Sequence, residues 1–136
     1  MLLATIHFPG TCDAAISFYK DQLDAQVKEI IYSKDSSSVP EVEEMKLPPN
    51  YVMHSVLSID GTELSMTDGG EPPINSPNYT LFLIKDTEAE VEALFGKLSA
   101  GGKVVEALGP VFWASTYGIV EDQFGITWQV MTADGI

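Results

Sequence analysis

The chain has 136 residues, the size of one domain at about 150 residues each. Twenty Asp and Glu against seven Lys and Arg give a net charge of −13, 45% of the residues are apolar, and there is one cysteine. This composition excludes disorder, collagen and a disulfide scaffold, and it lacks the basic stripe that nucleic acid or an anionic membrane surface requires, so neither is expected as a partner.

Leu2 to Phe8 reads as a strand, stopped by Pro9-Gly10. The apolar opening is too short for an export signal and lacks its basic flank. No apolar run approaches the roughly 20 residues of a membrane span. Thr11 is placed to cap a helix over 12–23, whose Ala15, Ile16, Phe18, Tyr19 and Leu23 share one face. Cys12 starts that helix, where a thiol can become reactive. No base lies near it in sequence, so a structural role is expected. A lone thiol suits a reducing compartment, so a cytoplasmic location is expected. Val27 to Tyr32 reads as a strand, and residues 33–50, with three prolines and an acidic run, as a long loop.

Val52 to Ile59 and Thr62 to Thr67 read as paired strands, because Asp60-Gly61 between them is a strong hairpin signal. Residues 68–78 form a Gly/Pro-rich connection, and Tyr79 to Ile84 reads as the next strand. Thr87-x-x-Glu90 is a capping box. The helix behind it carries Val91, Leu94, Phe95 and Leu98 at helical spacing and stops at Gly101-Gly102. Val104 to Leu108, Phe112 to Val120 and Ile126 to Met131 complete the strands.

The order strand–helix–strand–strand–strand therefore occurs twice. A shift of 76 residues places Ala4 on Thr80 and Phe18-Tyr19 on Leu94-Phe95. A shift of 65 places Thr62-Glu-Leu-Ser-Met-Thr67 on Thr127-Trp-Gln-Val-Met-Thr132. The expected fold is α+β: two βαβββ modules, about 1–70 and 78–136, in a single domain with a curved mixed sheet and a concave cleft. Such a cleft is a natural site for a small-molecule ligand.

Several segments strengthen this reading: Phe8-Pro-Gly-Thr-Cys-Asp-Ala-Ala-Ile-Ser-Phe-Tyr19, Met53-His54, Ser65-Met-Thr-Asp68, Phe112-Trp113-Ala114, Tyr117-Gly118 and Asp122-Gln-Phe-Gly-Ile-Thr-Trp128. Together they resemble the vicinal oxygen chelate superfamily of glyoxalase, bleomycin-resistance and extradiol dioxygenase proteins, and within it the PhnB-like family. The resemblance implies paired βαβββ modules and a homodimer. Some members of that family carry a ubiquinone-methyltransferase label. This chain has no Gly-rich strand-to-helix loop for a methionine-derived cofactor, and that activity is not expected.

Metal-dependent members take four ligands, His or Glu/Gln, from the first and last strands of each module. Carried over, these positions fall on Ala4, on Glu63 or Ser65, on Thr80 and on Gln129. Alanine binds no metal, and a threonine hydroxyl is a poor ligand for zinc or nickel. No metal and no cofactor are therefore expected.

Strand alternation across the Asp60-Gly61 turn places His54, Val56, Ser58, Glu63, Ser65 and Thr67 on one face. Met53, Leu57, Ile59, Leu64 and Met66 fall on the other. The polar set is expected to line the cleft. His54 and Glu63 are titratable, but they stand about four residues apart along the sheet at ~3.3 Å per residue, beyond a direct hydrogen bond. His54 is equally well read as satisfied by strand neighbours. His7 has the parity opposite Ala4 and is expected to point away from the cleft.

In the second module Phe112, Trp113 and Tyr117 cluster on the expected seventh strand. They suit a flat or cationic ligand, or equally core or dimer packing. Phe82 shares parity with Thr80, and Trp128, opposite Gln129 in parity, is expected in the core. The cleft candidates are thus His54, Glu63, Ser65, Thr80, Phe82, Trp113, Tyr117 and Gln129. The expected function is metal-free binding of a small molecule. The alternatives are a glyoxalase- or dioxygenase-like metalloenzyme and sequestration of a cationic antibiotic.

Overall fold

The computed structural model describes residues 1–36, 38–74 and 78–135. Ser37 and residues 75–77, which fall in the two expected connections, and Ile136 lie outside the described residues. The chain divides into two compact units, Met1–Pro72 and Pro73–Ile136.

The first unit runs through strand β1 (Thr5–Phe8), helix α1 (Cys12–Leu23), strand β2 (Gln26–Tyr32), strand β3 (Val52–Ile59) and strand β4 (Thr62–Asp68). A 3₁₀ turn (Ser33–Ser36) and a short helix α2 (Pro40–Glu44) occupy part of the segment expected as loop. The second unit runs through β5 (Leu81–Lys85), α3 (Glu88–Ser99), β6 (Lys103–Val111), β7 (Ala114–Glu121) and β8 (Thr127–Thr132). The sheets have the orders β1-β4-β3-β2 and β5-β8-β7-β6. In each the first strand pairs in parallel with the last, and the remaining pairs are antiparallel. The class is α+β with two mixed four-stranded sheets, and the duplicated strand order is the duplication seen in the sequence. Among the described residues no helix is long and apolar enough to cross a membrane.

The β3–β4 hairpin has the expected register, with Ile59 opposite Thr62 and Val56 opposite Ser65. Asp60 (φ 51°) and Gly61 (φ 83°) both take left-handed conformations, as a two-residue turn matched to sheet twist requires. The apolar face follows: Leu57, Ile59, Leu64 and Met66 are buried.

The two helix starts differ. Thr87 behaves as predicted, its hydroxyl oxygen accepting the Glu90 N–H at 3.2 Å. Thr11 makes no side-chain cap bond. The Cys12 N–H is instead taken by Asp68 Oδ1 at 3.0 Å, from 56 residues away. Cys12 is fully buried, and burial, then the charges of Asp68 and Asp13, push its thiol far above the usual range. The native protein is therefore expected to show no fast reaction with a thiol-specific disulfide reagent at pH 8, with full reaction in urea. Rapid labelling without denaturant would overturn this placement.

Helix α3 packs on one face of the second sheet through Gly118. A Cβ there would meet Phe95 Cε2 and Leu108 Cδ2, both at 2.8 Å, so glycine is what admits the close approach. Trp128 and Val130 lie on this face by their pairing and are buried, as expected for Trp128.

Strands β6 and β7 correct the expected boundaries. β6 extends through Pro110 to Val111, and Phe112 and Trp113 form the turn before β7 instead of lying on it. Pro110 reads as a break in sequence. It is tolerated because β6 is an edge strand, where a missing N–H disrupts no ladder.

Candidate functional site

The face of the second sheet opposite α3 gathers five of the eight candidates. In the parallel pair Phe82 stands beside Gln129 and Ile84 beside Met131. In the antiparallel pair Ile119 faces Gln129 and Tyr117 faces Met131. Residues paired across strands project to the same side, so these side chains share one face, opposite Trp128 and Val130. Ala114, Tyr117 and Met131 form its buried floor, with Ile84, Val111 and Ile119 packed against it.

A line of hydrogen bonds crosses this floor. The Tyr117 hydroxyl donates to Gln129 Oε1 at 2.6 Å. Gln129 Nε2 donates to Thr80 Oγ1 at 2.7 Å. Thr80 lies just before β5, which starts at Leu81. Its oxygen is the acceptor in that bond, so its own O–H proton is left to donate elsewhere. Tyr117 is buried, and burial first, then the charge of Glu106, raises its pKa above the ordinary tyrosine value. It stays protonated at physiological pH, so the phenol keeps the O–H that it donates to Gln129 Oε1.

Aromatic rings border the line. Trp113 meets Tyr117 edge to face at 5.2 Å between centroids, and Phe82 meets it in the same manner at 6.4 Å. Phe112 meets Trp113 edge to face at 4.6 Å and is 97% exposed. Phe82 and Trp113 are 44% and 41% exposed. They are held by a buried tyrosine and still present ring surface to solvent.

The first sheet carries the other three candidates. His54, Val56, Ser58, Glu63, Ser65 and Thr67 fall on the face opposite Leu57 and Leu64. His54 does not meet Glu63. Its Nε2 lies 3.5 Å from Glu29 Oε2 on the neighbouring strand, because the bulge in the β2–β3 pair sets Ile31 beside His54 and Glu29 beside Val56. Glu63 is exposed and pairs with Ser58, while Ser65 is buried.

His7 needs correction. The parallel register sets it beside Thr67, and its Nδ1 lies 2.8 Å from the Thr67 hydroxyl, so it joins the polar face. Ala4 is the residue on the other parity. Glu29 and Glu106 were not singled out in the sequence. Both lie on strands whose bulges interrupt simple alternation.

The ligand positions implied by the resemblance do not fit a divalent cation. Ala4 has no donor atom. The only ligating atom of Gln129, Oε1, already accepts the Tyr117 proton, and Thr80 Oγ1 accepts from the same amide. A neutral amide, a hydroxyl and one carboxylate or serine form too weak a set for a doubly charged ion.

Comparison with known proteins agrees with this architecture. The chain is 28% identical over 137 residues to protein YjdN of Escherichia coli K12, covering 92% of this chain and 90% of YjdN. It superposes on protein PA1353 of Pseudomonas aeruginosa with a TM-score of 0.78 at 28% identity, covering 97% of this chain and 96% of that one. A PhnB protein from Bacillus cereus superposes with a TM-score of 0.82 at 22% identity, covering 97% and 98%, a likeness of fold. The profile of the glyoxalase/bleomycin resistance protein/dioxygenase superfamily matches residues 5–130. The chain belongs to that superfamily.

Proposed function

We propose that this chain binds a small organic molecule, without a resident metal, on the face that carries Thr80, Phe82, Trp113, Tyr117 and Gln129. His54, Glu63 and Ser65, on the polar face of the first sheet, are further candidates for contact with a ligand. A homodimer in the cytoplasm is part of the proposal, resting on the family likeness and the lone thiol.

The observation that carries it is the hydrogen-bonded line from Tyr117 through Gln129 to Thr80, set between half-exposed rings. Ligand sites combine apolar and aromatic walls with a few polar groups whose direction is set beforehand. Here the donor left over is the Thr80 hydroxyl, and the walls are Phe82 and Trp113.

The two tryptophans make the test direct. Trp128 is 1% exposed, so ligand-induced changes in emission report Trp113. A panel of water-soluble fragments titrated into the protein is expected to include one or more that change this emission saturably. For those, Thr80→Val or Phe82→Ala should weaken binding by about tenfold or less, the range of one lost hydrogen bond or ring contact. A panel with no saturable response, or binding indifferent to both substitutions, would overturn the proposal.

A further inference from the structure

The segment 33–50, read from sequence as a long loop, holds a cavity of about 330 Å³. Its lining residues all belong to the first unit, so it is separate from the face on the second sheet. A connection of this length in a small domain is either functional or loose, and hydrogen bonds hold this one on both sides of the cavity. On one side the Ser33 N–H donates to Tyr51 O at 2.9 Å, the Lys34 N–H to Pro49 O at 3.3 Å, and the Ser33 hydroxyl to Pro48 O. On the other, the Met45 N–H donates to Val42 O at 3.2 Å and the Lys46 N–H to Glu43 O at 3.1 Å. Lys46 then takes a left-handed φ of 51°, which ends α2.

Val42, Leu47 and Pro49 give the cavity an apolar wall, and Lys34 and Lys46 bring two ammonium groups to it. Both lysines are solvent-exposed, and among the described residues neither forms an ion pair. The Lys34 ammonium rests over the Tyr32 ring, 4.8 Å from its centroid. That ring is fixed in turn, because its hydroxyl donates to Asp13 at 2.6 Å. Glu43 adds one carboxylate, so the lining carries one net positive charge.

The local sign is opposite to that of the chain as a whole. The protein has a net charge of −13 and seven cationic side chains, all lysines, and two of the seven meet at this cavity. Salt screens distant exposed charges beyond about 8 Å at physiological ionic strength, so a molecule in the cavity feels these two lysines first. A dianion would exceed the local positive charge, and a cation would meet two like charges. A neutral molecule would leave both ammoniums unpaired. We propose that this cavity binds an organic monocarboxylate with a short hydrocarbon part, the carboxylate pairing with Lys34 and Lys46 and the hydrocarbon lying on Val42, Leu47 and Pro49.

The test titrates hexanoate, hexanamide and acetate into the full chain. NMR follows the backbone amides of Val42 and Leu47, with the Gln129 side-chain amide as marker of the other face. Hexanoate is expected to bind about tenfold tighter than hexanamide, the range of two exposed charge pairs. It should also bind tighter than acetate, which lacks the chain. Lys34→Gln and Lys46→Gln should each weaken hexanoate about threefold, and the double variant should bring it to the affinity of hexanamide. Leu47→Ala should weaken hexanoate and hexanamide alike. Lys28→Gln removes a charge from β2 outside the cavity and should change nothing.

Equal affinity for hexanoate and hexanamide, or acetate binding as tightly as hexanoate, would overturn the assignment. A loss in Lys28→Gln as large as in Lys34→Gln would also overturn it, by tracing the effect to overall charge. So would shifts confined to Gln129, which would move the molecule to the second sheet. The same holds for no saturable shift of Val42 and Leu47 up to about 20 mM hexanoate, where a millimolar site would be filled.

Discussion

Asp122→Ala is expected to lower the stability of the second module by about 3–5 kcal/mol, because it orphans several buried donors at ~1–3 kcal/mol each. The carboxylate is 3% exposed. Its Oδ1 accepts the N–H groups of Phe124 at 2.9 Å and Ile126 at 3.1 Å. Its Oδ2 accepts Trp128 Nε1 at 2.9 Å. One side chain thus shapes the turn from β7 into β8 and anchors the largest buried side chain of the sheet. Asp122→Asn keeps one acceptor oxygen but sets an amide nitrogen against donors, so about half of the loss is expected. Urea unfolding in a Trp113→Phe background, where Trp128 alone reports, measures both. A loss below about 1 kcal/mol for Asp122→Ala, the scale of an ordinary surface change, would show that water replaces these bonds.

Asp68→Ala is the counterpart in the first module, with an expected loss of about 2–4 kcal/mol from two orphaned donors and a lost helix cap. Asp68 accepts the Cys12 N–H at 3.0 Å and the Val52 N–H at 2.9 Å. It therefore ties the start of α1 and the start of β3 to the end of β4. The informative control is Thr11→Ala. Thr11 sits at the cap position but makes no cap bond, so its replacement should change stability by no more than about 0.5 kcal/mol. If Thr11→Ala proves as harmful as Asp68→Ala, the helix is capped locally and the assignment fails. Hydrogen exchange of the Cys12 and Val52 amides in the Asp68 variant gives a second readout, because both should lose protection while Met66 in mid-strand keeps it.

These two aspartates show where local pattern stops being sufficient. Asp68 and Asp122 both stand in segments that resemble the family; Asp122 serves donors of its own turn, Phe124, Ile126 and Trp128, whereas nothing near Asp68 in sequence marks it as the acceptor for the distant amides of Cys12 and Val52. A carboxylate bonds whatever donor the fold brings near it, and a partner 56 residues away leaves no periodic trace. Thr11 taught the opposite lesson, since a good cap residue in sequence was displaced by a charged one from another strand.

What the sequence by itself determined was everything governed by short-range geometry. The two βαβββ halves, the Asp60-Gly61 turn and the Thr87 cap follow from residue spacing and from backbone conformations that few residues adopt. So does the sorting of Leu57 and Leu64 from His54 and Glu63 on opposite faces. Side-chain alternation has a fixed period of two, so parity survives wherever a strand is regular. The tertiary structure decided what bulges and register control. The bulge in β2 gave His54 to Glu29, the parallel register of β1 brought His7 to Thr67, and Pro110 on an edge strand moved Trp113 into a turn. The Thr80–Gln129–Tyr117 line also belongs to this second group. Its residues were all singled out, but their bonding depends on three strands aligned by long-range pairing, which no local window of sequence contains.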